Sequence, residues 1–219
     1  MALCGAIIML EMSISAAVAQ TTITSGTGSA VVNQDRIATF PTVNFNASTY
    51  SENGLAFTVQ NGGIFPHFSG FYGADGAQNI YYPNGGGNGF TTIATTDASP
   101  FFGLELDVYN GYNLPTTYLH YEAVSGGSVV SSGAFSVASG SVVGFLSPFG
   151  FDLLRIGAYR NAGEASAANS SSYQALAISN VRADLTGSNA VTPEGSSLAM
   201  MGLGLLPLAY GLRRKLRKA

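Results

Sequence analysis

The sequence predicts an all-β protein, an antiparallel jelly-roll-like β-sandwich in a single domain, followed by a C-terminal transmembrane helix. Three observations carry that class. Apolar and polar residues alternate with a period of two in many short runs. Clusters rich in glycine and asparagine punctuate those runs, and no stretch between Gln20 and Leu185 keeps a 3.6-residue period over a useful length. Many short strands with one apolar face close most simply as two packed antiparallel sheets. An uncharged apolar stretch then runs from Ser196 to Leu212. The 219-residue chain divides into a signal peptide (1–19), a sandwich domain (20–185), a linker (186–191) and a C-terminal segment (192–219).

The first 19 residues are apolar and end in Ala17-Val18-Ala19, so small residues stand at −3 and −1 for signal-peptidase cleavage before Gln20. The stretch lacks Lys and Arg at its start, and Glu11 interrupts its apolar part. Cys4, the only cysteine, falls inside it. The mature chain therefore has no disulfide, and its stability has to come from an ordinary core.

The strands follow in order. Leu55, Phe57 and Val59 face one way, with Ala56, Thr58 and Gln60 the other. Leu104, Leu106 and Val108 alternate with Glu105, Asp107 and Tyr109, and Leu119, Tyr121 and Ala123 with Tyr118, His120 and Glu122. Leu154, Ile156 and Ala158 alternate with Arg155, Gly157 and Tyr159. Turn signals lie at Glu52-Asn53-Gly54, Asn61-Gly62-Gly63, Asn84 to Gly87, Asn110 to Asn113, Gly126-Gly127 and Ser139-Gly140. Asn161 to Ser172, rich in Ala, Ser and Gly, reads as a loop before a last strand from Ala175 to Leu185.

The closing segment is an address. The helix over 196–212 has 17 uncharged residues, about 25 Å of rise against a hydrocarbon core of about 30 Å. Gly202, Gly204, Pro207 and Gly211 suit a membrane helix better than a soluble one. The basic end, 213–218, holds five of the chain's nine basic residues, with Arg213, Arg214 and Lys215 as the membrane stop. An excess of basic charge stays on the cytoplasmic side, so the body is expected outside.

Charge excludes several functions. Only 10% of residues are charged, against the usual quarter. From Gln20 to Thr192 there are ten acidic residues, four arginines (Arg36, Arg155, Arg160, Arg182) and no lysine, a net −6. Nucleic acid and anionic membrane surfaces want a basic patch and are excluded as partners. The aromatic content argues against disorder.

Chemistry is sparse. His67 and His120 are the only histidines, without metal-ligand spacing or a Gly-x-Ser-x-Gly elbow, and both read as bystanders. No catalytic residue is expected. A glycan-processing enzyme would need paired carboxylates; Glu105 and Asp107 share one strand face, and Glu122 is placed on a neighbouring strand. The alternative, which we favour, is a solvated outer face carrying acids for solubility. No cofactor is expected, the one cation in view being Ca²⁺ on Asp35, Glu52 and Asp184, without an EF-hand-like cluster. The stretch from Phe65 to Phe90 is dense in aromatics among glycines and asparagines. Its rings either fill the core or line a carbohydrate-binding surface, with Phe71, Tyr72, Tyr81 and Tyr82 as the sugar contacts.

Thr192-Pro193-Glu194-Gly195, the apolar run and the basic end together resemble the PEP-CTERM sorting signal of exopolysaccharide-producing Gram-negative bacteria. Pro193 and Glu194 match the first two motif positions, and Gly195 stands where the family has proline. Ser196 to Leu206 is very close to the family pattern. The body also resembles the jelly-roll domain common in such proteins: Tyr50 to Phe57 is similar to its early Tyr-x-Glu-x-Gly-Phe-x-Phe element, Phe101 to Val108 to its middle strand, Thr116 to Val137 to a hairpin pair, and Leu176 to Val181 to its closing strand. Ser179 stands where that closing strand has an acid, so a metal that used the acid would lose a ligand here. The resemblance implies a non-enzymatic protein, exported and held at the inner membrane by its C-terminal helix at least transiently. An exosortase-type enzyme would then process it for the cell surface or extracellular matrix, where exopolysaccharide or biofilm is the implied associate.

Overall fold

The computed structural model describes residues 21–41, 48–60, 64–67, 80–83 and 88–187. The signal peptide with Ala17, Ala19 and Gln20, the motif Pro193–Gly195, the helix over 196–212, the stop Arg213, Arg214 and Lys215, and the aromatics Phe71 and Tyr72 lie outside the described residues. Among the described residues no helix is long and apolar enough to cross a membrane.

The body is two antiparallel sheets. The first contains β1 (Thr22–Ser25), β2 (Arg36–Ala38), β5 (Ile64–His67), β6 (Ile80–Pro83), β8 (Phe101–Asn110), β11 (Ser141–Phe151) and β13 (Leu176–Asp184), in the order β1-β11-β8-β13-β6-β5, with β2 sharing with β6 the far edge of β13. The second contains β3 (Thr49–Glu52), β4 (Leu55–Val59), β7 (Thr91–Thr95), β9 (Thr116–Ser125), β10 (Ser128–Ala138) and β12 (Leu153–Tyr159), in the order β10-β9-β12-β7-β4-β3.

Local chemistry fixes two hairpins. Asn53 and Gly54 both take positive φ, 47° and 79°, and join β3 to β4 as a two-residue turn. Gly126 and Gly127, at 56° and 77°, do the same for β9 and β10. Both positions of this turn need left-handed backbone, which glycine and asparagine adopt most cheaply.

The alternation of β4, β8 and β9 places their apolar residues on the inner face as the sequence predicts: Leu55, Phe57, Leu104, Leu106, Leu119 and Ala123 are fully buried. The two inner faces meet in one core, where Tyr121 of the second sheet packs on Phe145 of the first at 5.3 Å and Phe57 on Tyr81 at 5.5 Å. Burying rings of this size is worth roughly 2–3 kcal/mol each.

Tyr81 and Tyr82 are buried rather than turned to a ligand. Tyr81 lies between the sheets against Phe40 and Phe57. Tyr82, its neighbour along the strand, packs on the opposite face of the first sheet with Ile80, Tyr109 and Ala177. Neither can offer a ring face to a sugar, because core packing claims both sides of each ring.

The expected loop from Asn161 to Ser172 contains one helical turn, α1 (Ala162–Ser166). Asn161 caps it by accepting from the Glu164 N–H at 2.9 Å, and five residues are too few for a period to show in the sequence. The helix packs on β9, β10 and β12, and this roof buries Gly157 and Tyr159 on what alternation marks as the polar side.

Candidate functional site

The outer face of the first sheet is covered around Glu105. The segment from Gly26 to Asn33 lies across it, over Gly103 and Gly144, whose missing side chains make the room. Glu105 is fully buried beneath this segment. Its carboxylate accepts from the N–H groups of Ala30 (2.9 Å), Gly28 (3.1 Å) and Val31 (3.2 Å) and from Arg182 Nε (3.2 Å). Burial alone would raise its pKa, but these hydrogen bonds outweigh it and hold the carboxyl below its usual value. Arg182 also donates to Asp107 at 2.7 Å, and Asn180 Nδ2 donates to the same carboxylate at 2.8 Å.

The expected solvated acidic face is thus a buried tie between strand and loop. Glu122 is not beside it either: it lies in the second sheet, directly across from Arg155 and paired with it at 3.0 Å. The three carboxylates of the glycan-processing alternative therefore divide between two sheets, and each is engaged by an arginine.

The acids considered for Ca²⁺ are likewise turned to donors. Asp184 accepts from the N–H groups of Val32, Asn33 and Gln34 at 2.6–2.9 Å. Asp35 accepts from Leu185 N–H at 2.7 Å, and Glu52 from Thr39 N–H, Phe40 N–H and the Tyr50 hydroxyl. A carboxylate surrounded by N–H groups presents the wrong partners to a cation, and the three do not converge. Ser179, which replaces an acid of the resembled closing strand, is buried 3.5 Å from the Tyr109 hydroxyl. His67 lies in β5. His120 donates from Nδ1 to the Ala165 carbonyl at 3.0 Å and stacks on Phe90 at 5.5 Å, which accounts for it as a structural residue.

An unassigned cleft of about 490 Å³ opens beside α1, lined by Tyr112, Tyr159, Arg160, Glu164, Ser172 and Tyr173. Three segments build it. The β8–β9 turn supplies Tyr112. Asn110 braces that turn by accepting from Tyr112 N–H at 2.9 Å and donating from Nδ2 to the Thr116 and Tyr159 carbonyls. The end of β12 supplies Tyr159 and Arg160. The capping turn fixes Glu164, whose carboxylate accepts from Arg160 N–H (3.2 Å) and Asn161 Nδ2 (3.1 Å). Tyr173 comes from the serine-rich loop that precedes β13.

The Arg160 guanidinium lies 4.8 Å from the Tyr112 ring centroid, and the Tyr112 and Tyr173 centroids are 6.3 Å apart. Tyr173 is 47% exposed. Tyr159 is enclosed, and its hydroxyl is buried without a hydrogen-bond partner. Burial pushes the phenols of Tyr112 and Tyr159 up, with Arg160 opposing the shift at Tyr112. A second groove of about 500 Å³, with Thr58, Gln60, Thr92 and Asn169 around the Glu122–Arg155 pair, runs along the outer face of the second sheet.

Sequence reasoning passed over the cleft because its parts are 47 to 61 residues from Tyr112 along the chain. Two signals were present: a tyrosine inside an Asn-Gly turn, and a lone aromatic after Ser170-Ser171-Ser172. Tyr112 packs partly against the cluster of Ile80, Tyr82, Tyr109, Ala175 and Ala177, whereas Tyr173 stays exposed. No protein-family model matches the chain, and no curated protein matches it.

Proposed function

We propose that the chain is an exported, non-enzymatic cell-surface or extracellular-matrix protein of jelly-roll build. A PEP-CTERM tail handled by an exosortase-type enzyme sorts it, and its working partner is exopolysaccharide. The observation that carries this reading is the order of features at the C-terminus: Pro193-Glu194, the uncharged run over 196–212 and the basic end beginning Arg213-Arg214-Lys215. That order specifies a body on the outside, a helix in the inner membrane and a basic stop on the cytoplasmic side.

The body supports the reading in two ways. Its two antiparallel sheets need no disulfide, which suits a chain whose only cysteine falls in the signal peptide. The carboxylates Glu105, Asp107 and Glu122 are held by arginines and backbone donors within the fold, which disfavours the glycan-processing alternative.

Deleting residues 198–219 tests the reading by cell fractionation. The full chain is expected in the membrane fraction or at the surface, and the truncated chain in the periplasm or medium. Identical distribution of the two sinks the sorting role.

A further inference from the structure

We propose that the cleft between the β8–β9 turn and α1 binds an acidic sugar unit of a polysaccharide, a pyranose that carries a carboxylate. The inference rests on the polysaccharide-associated reading above and makes it specific, but its test does not use the tail.

Charge pairing within the fold singles out the site. The four arginines are the cations among the described residues. Arg36 pairs with Asp97, Arg155 with Glu122, and Arg182 with Glu105 and Asp107. Arg160 alone of these four is exposed with no carboxylate within ion-pair distance, and its guanidinium rests at the Tyr112 ring. A guanidinium held in place by a ring and left without an anion offers its fork of donors to an incoming carboxylate.

The rest of the cleft fits a sugar. Tyr173, exposed beside Tyr112, gives ring surface for the CH face of a pyranose. Tyr159 lines the same cleft. The volume falls within the span of small-ligand sites. The neighbouring polar groove lacks this combination, because its arginine is already paired with Glu122.

Glu164 sharpens the assignment. Its carboxylate lines the cleft and opposes an anionic ligand, whereas it would help to hold a neutral sugar as an acceptor of hydroxyl protons. The two ligand classes therefore predict opposite signs for Glu164→Gln. Glutamine keeps one of the two side-chain bonds and leaves the residue's N–H bonded to Asn161 Oδ1, so the capped turn is preserved.

The test is affinity electrophoresis of the full chain, purified in detergent, through gels containing polygalacturonate or the same polymer with its carboxyls reduced. The wild-type chain is expected to be retarded by the acidic polymer and not by the reduced one, with retardation that fades as salt rises. Arg160→Gln and Tyr173→Ala should each weaken binding about tenfold, and Glu164→Gln should tighten it. Equal retardation by the reduced polymer, retention unchanged by Arg160→Gln, weakening by Glu164→Gln, or no retention by either polymer overturns the assignment. A chain that reaches the surface yet ignores polygalacturonate overturns the cleft alone. A chain that binds it but is indifferent to loss of its tail overturns the sorting role alone.

Discussion

At Glu105 a charged side chain with no exposed surface is tolerated because three N–H groups and one guanidinium replace its water. Removing the charge leaves Arg182 with Asp107 alone and weakens the grip on the Gly26–Asn33 segment. Glu105→Gln is therefore expected to lower the free energy of unfolding by about 3 kcal/mol at neutral pH, read from urea denaturation. The pH dependence has a definite sign. The folded carboxyl lies below its ordinary value of 4.5, so its stabilisation is present above that value and is lost as pH falls through the lower, folded one. The gap between wild type and Glu105→Gln should accordingly shrink as the medium is acidified below 4.5. A gap that stays constant contradicts the assignment of the low pKa to this carboxyl.

Among elements, the Gly26–Asn33 segment depends on the flat patch beneath it. A Cβ on Gly103 would stand 1.9 Å from the Ala30 carbonyl oxygen, a backbone atom that cannot rotate away. Gly103→Ala is expected to lift the segment, at a cost of roughly 1–3 kcal/mol, and to speed amide hydrogen exchange at Ala30 and Val31. Unchanged exchange there would contradict the contact. The hairpins were legible because Asn53-Gly54 and Gly126-Gly127 carry their turn type in their residue types. The phase of β13 was not: the bulge at Asn180, whose φ is +34°, turns Val181 and Ala183 inward after Leu176 and Ile178. That one extra residue sends Arg182 to the outer face, where it meets Glu105 and Asp107. A period-two pattern also says which side a residue takes and nothing of what covers that side, so the roofs over Glu105 and Tyr159 were invisible. The cleft was hidden for a related reason, since Tyr112, Arg160 and Tyr173 share no period and meet only when the sheets stack.

For the whole molecule, the two-sheet class follows from patterning that the chain repeats strand after strand, whereas the proposed destination rests on the ends of the sequence. The two parts make separate demands. The sheets carry the negative body and its one unpaired described arginine, and under the proposed sorting the tail's basic residues set the direction in which that body faces. The body has no lysine, so an antibody raised against the folded sheets is a better probe than a lysine-directed label. Labelling producing cells stripped of their outer membrane, before and after permeabilising the inner membrane, with that antibody tests the central claim most directly. The account predicts equal staining before and after, because the body stands outside; staining that appears only after permeabilisation would contradict it.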